Sequence, residues 1–224
     1  MYKENIAPFI DHTILRPDTT TVDIECFVKE AASYPFPSLC LPPSYIALAA
    51  QLLRGREIRL TSVVGFPLGF QSSAVKLFEA EEVVRAGGHE IDMVMNIGAF
   101  KSGGHRIVSE EIEAVVKAYH GIIVKVIIES CLLSTDEKHA ACHLIAESGA
   151  HFIKTSTGFS RGGATVADVA LLKEAAAGRI QVKASGGIKN LDSALAMIDA
   201  GASRIGTSAG VEIVEEQQAR LGRR

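Results

Sequence analysis

The chain has 224 residues, a hydrophobic fraction of 47% and a formal net charge of −3, which predict a single folded domain over residues 1–224 rather than a disordered chain. The near-balanced charge excludes nucleic acid as the main partner, because phosphate backbones are bound by clustered Lys and Arg. No apolar run reaches about 18 residues and the N-terminal residues lack the apolar segment of a signal peptide, so neither a membrane span nor secretion is expected. The four cysteines form no Cys-x-x-Cys pair and are expected to be free thiols in a reducing cytoplasm.

Short β-branched runs alternate with longer helical stretches along the chain. Candidate strands are centred, in chain order, near Ile10, Cys40, Thr61, Met93, Lys125, Ile153, Val182 and Ile205. Their mean spacing of about 28 residues is close to the size of one βα unit. Eight such units predict an α/β protein with a single (β/α)8 TIM barrel. The alternative, a doubly wound open sheet, would normally carry a glycine-rich turn after the first strand, and here that strand leads into Thr13-Ile14-Leu15-Arg16-Pro17.

Caps and glycines mark the predicted helix ends. A helix over Val22–Ala32 follows a cap rich in Thr and Asp, and a helix over Ser109–Ala118 is expected to begin with a serine cap. Gly87, Gly149 and Gly201 each separate a helical stretch from a β-branched run that starts two or three residues later. These glycines are therefore predicted to end helices in the left-handed conformation.

Charged residues interrupt predicted strands that should be apolar, because both faces of a barrel strand are covered. Asp92, Lys125, Lys154 and Lys183 lie in the fourth, fifth, sixth and seventh strands, respectively. A lysine is almost never buried without a partner, so we expect these side chains to face inward together, near the C-terminal mouth where barrel enzymes react. A second ammonium and partial desolvation would lower the pKa of one lysine toward neutrality. Its free amine could then attack a carbonyl and form a Schiff base.

Glycine-rich loops follow the last two predicted strands. Ser185-Gly186-Gly187-Ile188 follows the seventh strand, and Gly206-Thr207-Ser208-Ala209-Gly210 follows the eighth. Backbone N–H groups in such loops and the N-terminus of the next helix favour an anion. Barrel enzymes often bind a phosphate at this pair of loops, so the sequence predicts a phosphate site there.

The motifs also resemble the deoxyribose-phosphate aldolase family over nearly the whole chain. The matching segments are Ile10-Asp11-His12-Thr13, Val64-Gly65-Phe66-Pro67-Leu68-Gly69, Glu90-Ile91-Asp92-Met93-Val94-Met95-Asn96-Ile97-Gly98-Ala99, Lys125-Val126-Ile127-Ile128-Glu129, Phe152-Ile153-Lys154-Thr155-Ser156-Thr157-Gly158-Phe159 and Lys183-Ala184-Ser185-Gly186-Gly187-Ile188. The resemblance implies a class I aldolase that needs no metal or other cofactor. It would cleave 2-deoxy-D-ribose 5-phosphate reversibly to D-glyceraldehyde 3-phosphate and acetaldehyde, in deoxyribonucleotide degradation.

The resemblance also implies residue roles. Lys154 would form the Schiff base, Lys183 would lower the pKa of Lys154, and Asp92 would move a proton. The expected phosphate contacts are Gly158, Gly186, Gly187, Gly206 and Ser208. Asp11, Thr13, Lys125 and Thr157 fall where the family builds polar surroundings, and no role is assigned to them. A homodimer is expected, since small barrels of this kind often pair.

Three departures and two alternatives accompany this interpretation. Pro42 and Ala209 stand where the family often has Asn and Ser, and the terminal tyrosine that helps proton transfer in many members is unmatched, so a slower proton step is expected. Another phosphosugar barrel, such as an isomerase with Asp92 as its base, is one alternative, and a catalytically silent binding barrel is the other. His139 and His143 have metal-ligand spacing but are predicted to face solvent, so no metal site is predicted.

Overall fold

Eight parallel strands close into a barrel in the computed structural model, which describes residues 5–222. The strands are β1 (Ile10–Thr13), β2 (Ser38–Leu41), β3 (Arg59–Val64), β4 (Glu90–Val94), β5 (Ile123–Ile127), β6 (Phe152–Lys154), β7 (Gln181–Ser185) and β8 (Arg204–Thr207). They pair in chain order, and β8 returns to pair with β1. The predicted TIM barrel is confirmed, and each predicted strand centre lies within a strand. The prediction of one domain over residues 1–224 includes residues 1–4 and 223–224, which lie outside the described residues, and it stays a prediction.

Nine α-helices lie within residues 5–222 and surround the strands. They are α1 (Thr21–Ala31), α2 (Ile46–Leu52), α3 (Ser73–Arg85), α4 (Ile97–Lys101), α5 (His105–Ala118), α6 (Thr135–Glu147), α7 (Val166–Ala176), α8 (Leu191–Asp199) and α9 (Gly210–Leu221). Short 3-10 helices cover Ala7–Phe9, Pro43–Tyr45 and Ser130–Leu132. None of the helices in this part of the chain is long and apolar enough to cross a membrane.

One helix start agrees with the sequence and another does not. Thr20 caps α1 through a capping box, so that helix begins within one residue of its predicted start. The start predicted at Ser109 is wrong, because α5 begins a turn earlier, at His105, directly after Gly104. Ser109 lies inside the helix, where its hydroxyl donates to the Glu113 carboxylate at 3.0 Å instead of capping the backbone.

A glycine lies between the helix and the next strand at three places in the chain. Gly87, Gly149 and Gly201 have φ angles of 101°, 81° and 111°, which only glycine adopts without strain. Each follows the end of α3, α6 or α8, and the next strand starts three residues later. The predicted left-handed helix ends are confirmed.

The two faces of each strand have different surroundings. Ile91 and Met93 of β4 belong to the apolar core between the strands and the helices. Asp92, between them, is fully buried and bonds to side chains from β5, β6 and β7, so it faces the barrel interior. On this strand the apolar core therefore lies outside the barrel wall, and the charged side chain lies inside it.

Candidate active site

Asp92 lies at the centre of a buried charged cluster inside the barrel. Its Oδ2 accepts hydrogen bonds from Lys154 Nζ at 2.7 Å and Lys183 Nζ at 2.8 Å, and its Oδ1 accepts from Lys125 Nζ at 2.8 Å. Because Lys154 and Lys183 share one oxygen atom, their nitrogens are separated by less than two hydrogen-bond lengths. The structure thus brings together the four charged residues that the strand pattern predicts to face inward.

Three further charged residues complete the cluster on the side away from the mouth. Asp11 on β1 accepts from Lys183 Nζ, and its other oxygen accepts from Arg204 at 2.5 Å. Glu90 on β4 lies 2.6 Å from Lys125 Nζ and 3.4 Å from Arg204. Glu90 and Arg204 are not among the residues that the sequence predicts for the site. Strand alternation could have found Glu90, because it shares the inward face of β4 with Asp92.

Apart from the exposed Arg59, which lies 3.5 Å from Glu90 at its edge, the cluster carries one more potential positive charge than negative charges. Its potential cations are Lys125, Lys154, Lys183 and Arg204, and its carboxylates are Asp11, Glu90 and Asp92. Loss of one proton from an amine would balance the charges, which a buried environment favours. Lys154 contacts a single carboxylate, which it shares with two other lysines, whereas Lys183 contacts both Asp11 and Asp92. Lys154 is therefore the amine that gives up its proton most readily.

The pKa shifts of the two neighbouring amines go in opposite directions. Burial lowers the pKa of Lys154, and the Lys183 ammonium lowers it further, against the opposing effect of Asp92. Burial alone would lower the pKa of Lys183, but Asp11 and Asp92 together raise it above its ordinary value. The second ammonium thus acts on Lys154 as the sequence predicts, but burial is the larger cause. The pair holds one amine suited to be neutral and one that stays protonated.

Asp92 remains ionised in this environment. Burial would raise the pKa of its carboxyl group, but Lys125, Lys154 and Lys183 together hold that pKa well below its ordinary value. In the resting cluster the proton is therefore carried by Lys183, and Asp92 is an acceptor that holds the two amines in place.

Access to the mouth distinguishes Lys154 from the other two lysines. A cavity of about 260 Å³ opens at the C-terminal ends of the strands, and Lys154 lines it. Lys154 is 4% exposed, whereas Lys125 and Lys183 are fully buried behind it. A carbonyl compound that enters the cavity therefore meets the Lys154 amine first.

Part of the lining of the same cavity, the anion wall, has the features of an anion site. It contains all five residues expected to contact phosphate, namely Gly158, Gly186, Gly187, Gly206 and Ser208. The backbone N–H groups of four of them, all except Gly206, donate to no other residue within 5–222. The lining side chains from this part of the chain include Arg16 and Lys189 but no carboxylate. Free N–H groups and cationic side chains in one cleft favour a bound anion.

Gly206 also makes room for the partner amine. A Cβ atom at this position would lie 3.1 Å from Lys183 Cε and 3.0 Å from Ser185 Cβ. These distances are tighter than ordinary carbon contacts, so any larger residue would displace the Lys183 side chain. The same glycine thus serves the anion wall and the charged cluster.

Hydroxyl groups link β6 and β7, the strands that carry Lys154 and Lys183, at the mouth of the barrel. Thr155, directly after Lys154, donates through Oγ1 to the Ser185 carbonyl at 3.1 Å and accepts from the Ser185 N–H at 3.0 Å. Ser185 Oγ then donates to the Ser156 carbonyl at 2.6 Å. These bonds fix the ends of β6 and β7 relative to each other, and therefore fix Lys154 relative to Lys183.

The remaining singled-out residues lie at the edges of the site or outside it. The Cys40 thiol is buried, and burial raises its pKa to about 11, which keeps it protonated and unreactive. Pro42 lines a separate cleft beside Arg16, and Ala209 precedes α9. On α6, His143 is exposed as predicted, whereas His139 is half-buried.

Comparisons with known proteins identify similar sequences and similar folds. Residues 6–216 match the model of the DeoC/LacD family aldolases. A deoxyribose-phosphate aldolase of Streptococcus suis is 51% identical over 211 residues, which cover 94% of this chain and 96% of the relative.

The chain belongs to the DeoC/LacD aldolase family. The solved aldolase QR15 superposes with a TM-score of 0.94 at 40% identity, covering 97% of both chains. A tetrameric deoxyribose phosphate aldolase from Aeropyrum pernix superposes with a TM-score of 0.90 at 35% identity, covering 97% of this chain and 93% of the other. The family and the fold inferred from the motifs are thus confirmed. In this DeoC/LacD barrel, Lys154 is the last residue of β6 and Lys183 is the middle residue of β7.

Proposed function

We propose that this chain catalyses the reversible aldol cleavage of 2-deoxy-D-ribose 5-phosphate to D-glyceraldehyde 3-phosphate and acetaldehyde, with Lys154 as the Schiff-base nucleophile. The observation that carries the proposal is an accessible amine of lowered pKa, held within hydrogen-bond distance of Asp92, which also holds the protonated amine of Lys183. The relatives named above support the substrate, since they are named for it. Degradation of deoxyribonucleotides is the corresponding role in the cell.

The first stage forms the imine. The neutral Lys154 nitrogen attacks the C1 carbonyl carbon, and the carbonyl oxygen takes a proton. The Lys183 ammonium is the nearest proton donor. The carbinolamine then loses its hydroxyl group as water and becomes a protonated imine. This cation is an electron sink that needs no metal, and the Asp92 carboxylate stabilises its positive charge.

The second stage breaks the bond between C2 and C3. The C3 hydroxyl group loses its proton, C3 becomes the aldehyde carbon of glyceraldehyde 3-phosphate, and the bonding electrons move to C2 to form an enamine. Protonation of C2 restores an imine, and water releases acetaldehyde and the free amine. Asp92 takes and returns these protons with Lys183, because it bonds to both amines through one oxygen atom.

The anion wall orients the substrate for these steps. Its N–H donors come from loops that follow β6, β7 and β8, so they lie at the same mouth as Lys154. A phosphate bound there by the N–H groups of Gly158, Gly186, Gly187 and Ser208, with Gly206 lining the same cavity, would fix the far end of the substrate while C1 reaches the amine. Binding at a group that does not react is a general way to lower the barrier at the reacting atoms.

Reductive trapping tests the proposal. The protein is incubated with acetaldehyde and borohydride, digested, and examined by mass spectrometry for a lysine that gains two carbon atoms. We expect the label on Lys154, and we expect Lys154→Leu to lose both the label and cleavage activity. Lys189 lines the same cavity and serves as the internal comparison. Label on Lys189 instead of Lys154, or full activity of Lys154→Leu, would refute the proposal. An isomerase or a silent binding barrel predicts no label.

We further propose a homodimer in the cytoplasm. The β3–α3 region exposes Leu68, Phe70 and Phe78 by 58%, 70% and 59%, which is apolar surface that a second copy could cover. The four cysteines are free thiols, in keeping with a reducing compartment. Light scattering after size-exclusion chromatography checks the oligomeric state, and Phe78→Glu should lower it if this surface pairs.

A further inference from the structure

We propose that Glu129 is a positioning residue that holds the β6–α7 loop in the conformation that binds the substrate phosphate. This inference rests on the proposed function and assigns a role to a buried carboxylate that the imine chemistry does not use. Glu129 follows β5 and is 2% exposed. No Lys, Arg or His nitrogen within residues 5–222 lies within 4.0 Å of its carboxylate. A buried carboxyl group is costly unless hydrogen bonds satisfy it, so the donors that Glu129 binds are important to the structure around it.

The backbone at Glu129 is strained. Its φ of 50° and ψ of 66° place it in the left-handed region, which is unfavourable for a residue with a Cβ atom. In the described part of the chain, the other residue with a side chain in this region is Ala177, at the exposed end of α7. Strain of this kind in a buried position beside a cleft is a sign of a functional constraint.

The strained residue is held firmly beside the nucleophile. The N–H of Ile128 donates to the Lys154 carbonyl at 3.0 Å, and the N–H of Ser130 donates to the Thr155 carbonyl at 2.8 Å. The backbone on both sides of Glu129 therefore follows the end of β6. The left-handed conformation of Glu129, between these two bonds, directs its carboxylate toward the β6–α7 loop.

The Glu129 carboxylate accepts hydrogen bonds from the β6–α7 loop. Glu129 Oε2 accepts from the Thr157 N–H at 3.2 Å and from Thr157 Oγ1, and Thr157 Oγ1 accepts from the Phe159 N–H at 3.1 Å. These bonds engage the N–H groups on either side of Gly158, whose own N–H donates to no described residue. Gly158 has a φ of 86°, and a Cβ there would meet no atom within 4 Å, so this residue lies open to the cavity. Glu129 engages Thr157, the Thr157 hydroxyl engages the Phe159 N–H, and the Gly158 N–H between them is left available for a phosphate oxygen.

Three variants separate positioning from other roles. Glu129→Gln keeps an oxygen that can accept from Thr157 but removes the charge. Glu129→Ala removes the acceptor and keeps a Cβ atom, so the backbone strain is unchanged. Glu129→Asp keeps the charge on a side chain one carbon shorter, which cannot reach both Thr157 donors. Each is assayed for kcat/KM with 2-deoxy-D-ribose 5-phosphate and with 2-deoxy-D-ribose, which lacks the phosphate.

We expect Glu129→Ala and Glu129→Asp to lose about 10- to 100-fold in kcat/KM with the phosphorylated sugar, through KM, and to stay within about threefold with the unphosphorylated sugar. Glu129→Gln should stay within about threefold with both sugars. If Glu129→Ala does not fold, the contrast between the Asp and Gln variants decides.

Three results would overturn the inference. Equal losses of kcat/KM with both sugars would indicate a general structural role. No loss of kcat/KM in the Ala and Asp variants would show that the contact between Glu129 and Thr157 does not affect phosphate binding. A loss in Glu129→Gln as large as in Glu129→Ala would indicate that the charge or proton transfer matters instead. Failure of the wild-type protein to cleave the phosphorylated sugar would instead contradict the proposed function itself.

Discussion

A second buried ion pair, in the helix layer, supports the strand that carries Asp92. Lys76 on α3 donates to both oxygens of Glu111 on α5, at 2.9 and 3.0 Å, and to the Val94 carbonyl at 2.9 Å. Glu111 in turn accepts from the Asn96 N–H at 2.9 Å. Val94 is two residues beyond Asp92, so the pair holds the mouth end of β4. We expect its removal to show a distinctive pattern of stability.

The magnitudes follow from burial and hydrogen bonding. Lys76 is fully buried and Glu111 is 2% exposed. In Lys76→Met the buried carboxylate loses its cation, so we expect the free energy of unfolding to fall by about 3–5 kcal/mol. Both variants leave the Val94 carbonyl without Lys76. In Lys76→Met combined with Glu111→Leu no charge is left unpaired, and the unpartnered Asn96 N–H, about 1–3 kcal/mol, replaces the larger penalty of the unpaired carboxylate. The double variant should therefore be more stable than Lys76→Met alone.

Urea unfolding followed by circular dichroism measures these differences. Lys138 and Asp168 provide the matched control, since they also join two helices, at 2.5 Å, but each side chain is 14% exposed. Lys138→Met should lower the free energy of unfolding by about 1 kcal/mol, because partial exposure screens the charge left behind. A double Lys76/Glu111 variant that is less stable than the single variant would refute the reasoning. So would equal losses at the two ion pairs.

The remaining predictions concern the charged cluster. Lys183→Leu removes an ammonium that lowers the pKa of Lys154, so imine trapping, which needs the neutral amine, should begin at higher pH; an unchanged pH profile would argue against this role. Asp92→Asn should still trap acetaldehyde but slow turnover, measured as kcat, and normal turnover would exclude proton transfer by Asp92. Gly206→Ala should displace Lys183 and lower the free energy of unfolding by about 1–3 kcal/mol, with a fall in kcat; wild-type values of both would show that the site has more room than the Cβ distances indicate.

Strand order and alternation were predictable because they depend on local sequence. β-branched runs, the glycines that end helices and the spacing of the units each report on a few consecutive residues, and all eight predicted strands formed. The helix start at Ser109 could not be placed in this way, because a serine that can cap a helix can also lie inside one. Inside α5, the Ser109 hydroxyl donates a hydrogen bond to Glu113, one turn further along the helix.

By itself, the sequence determined that lysines and a carboxylate would share the inside of a barrel, because inward-facing residues follow from strand parity. The motifs name Lys154 as the expected nucleophile by resemblance, but the physical reason for choosing that amine exists only in the tertiary structure. That choice depends on charges from β1, β4, β5, β6, β7 and β8, which are distant along the chain and meet only when the barrel closes. The position of Asp11, which raises the pKa of Lys183 but does not contact Lys154, separates two lysines that look alike in the sequence. Burial of Lys154 at the wall of the cavity, the larger cause of its lowered pKa, likewise exists only in the folded protein.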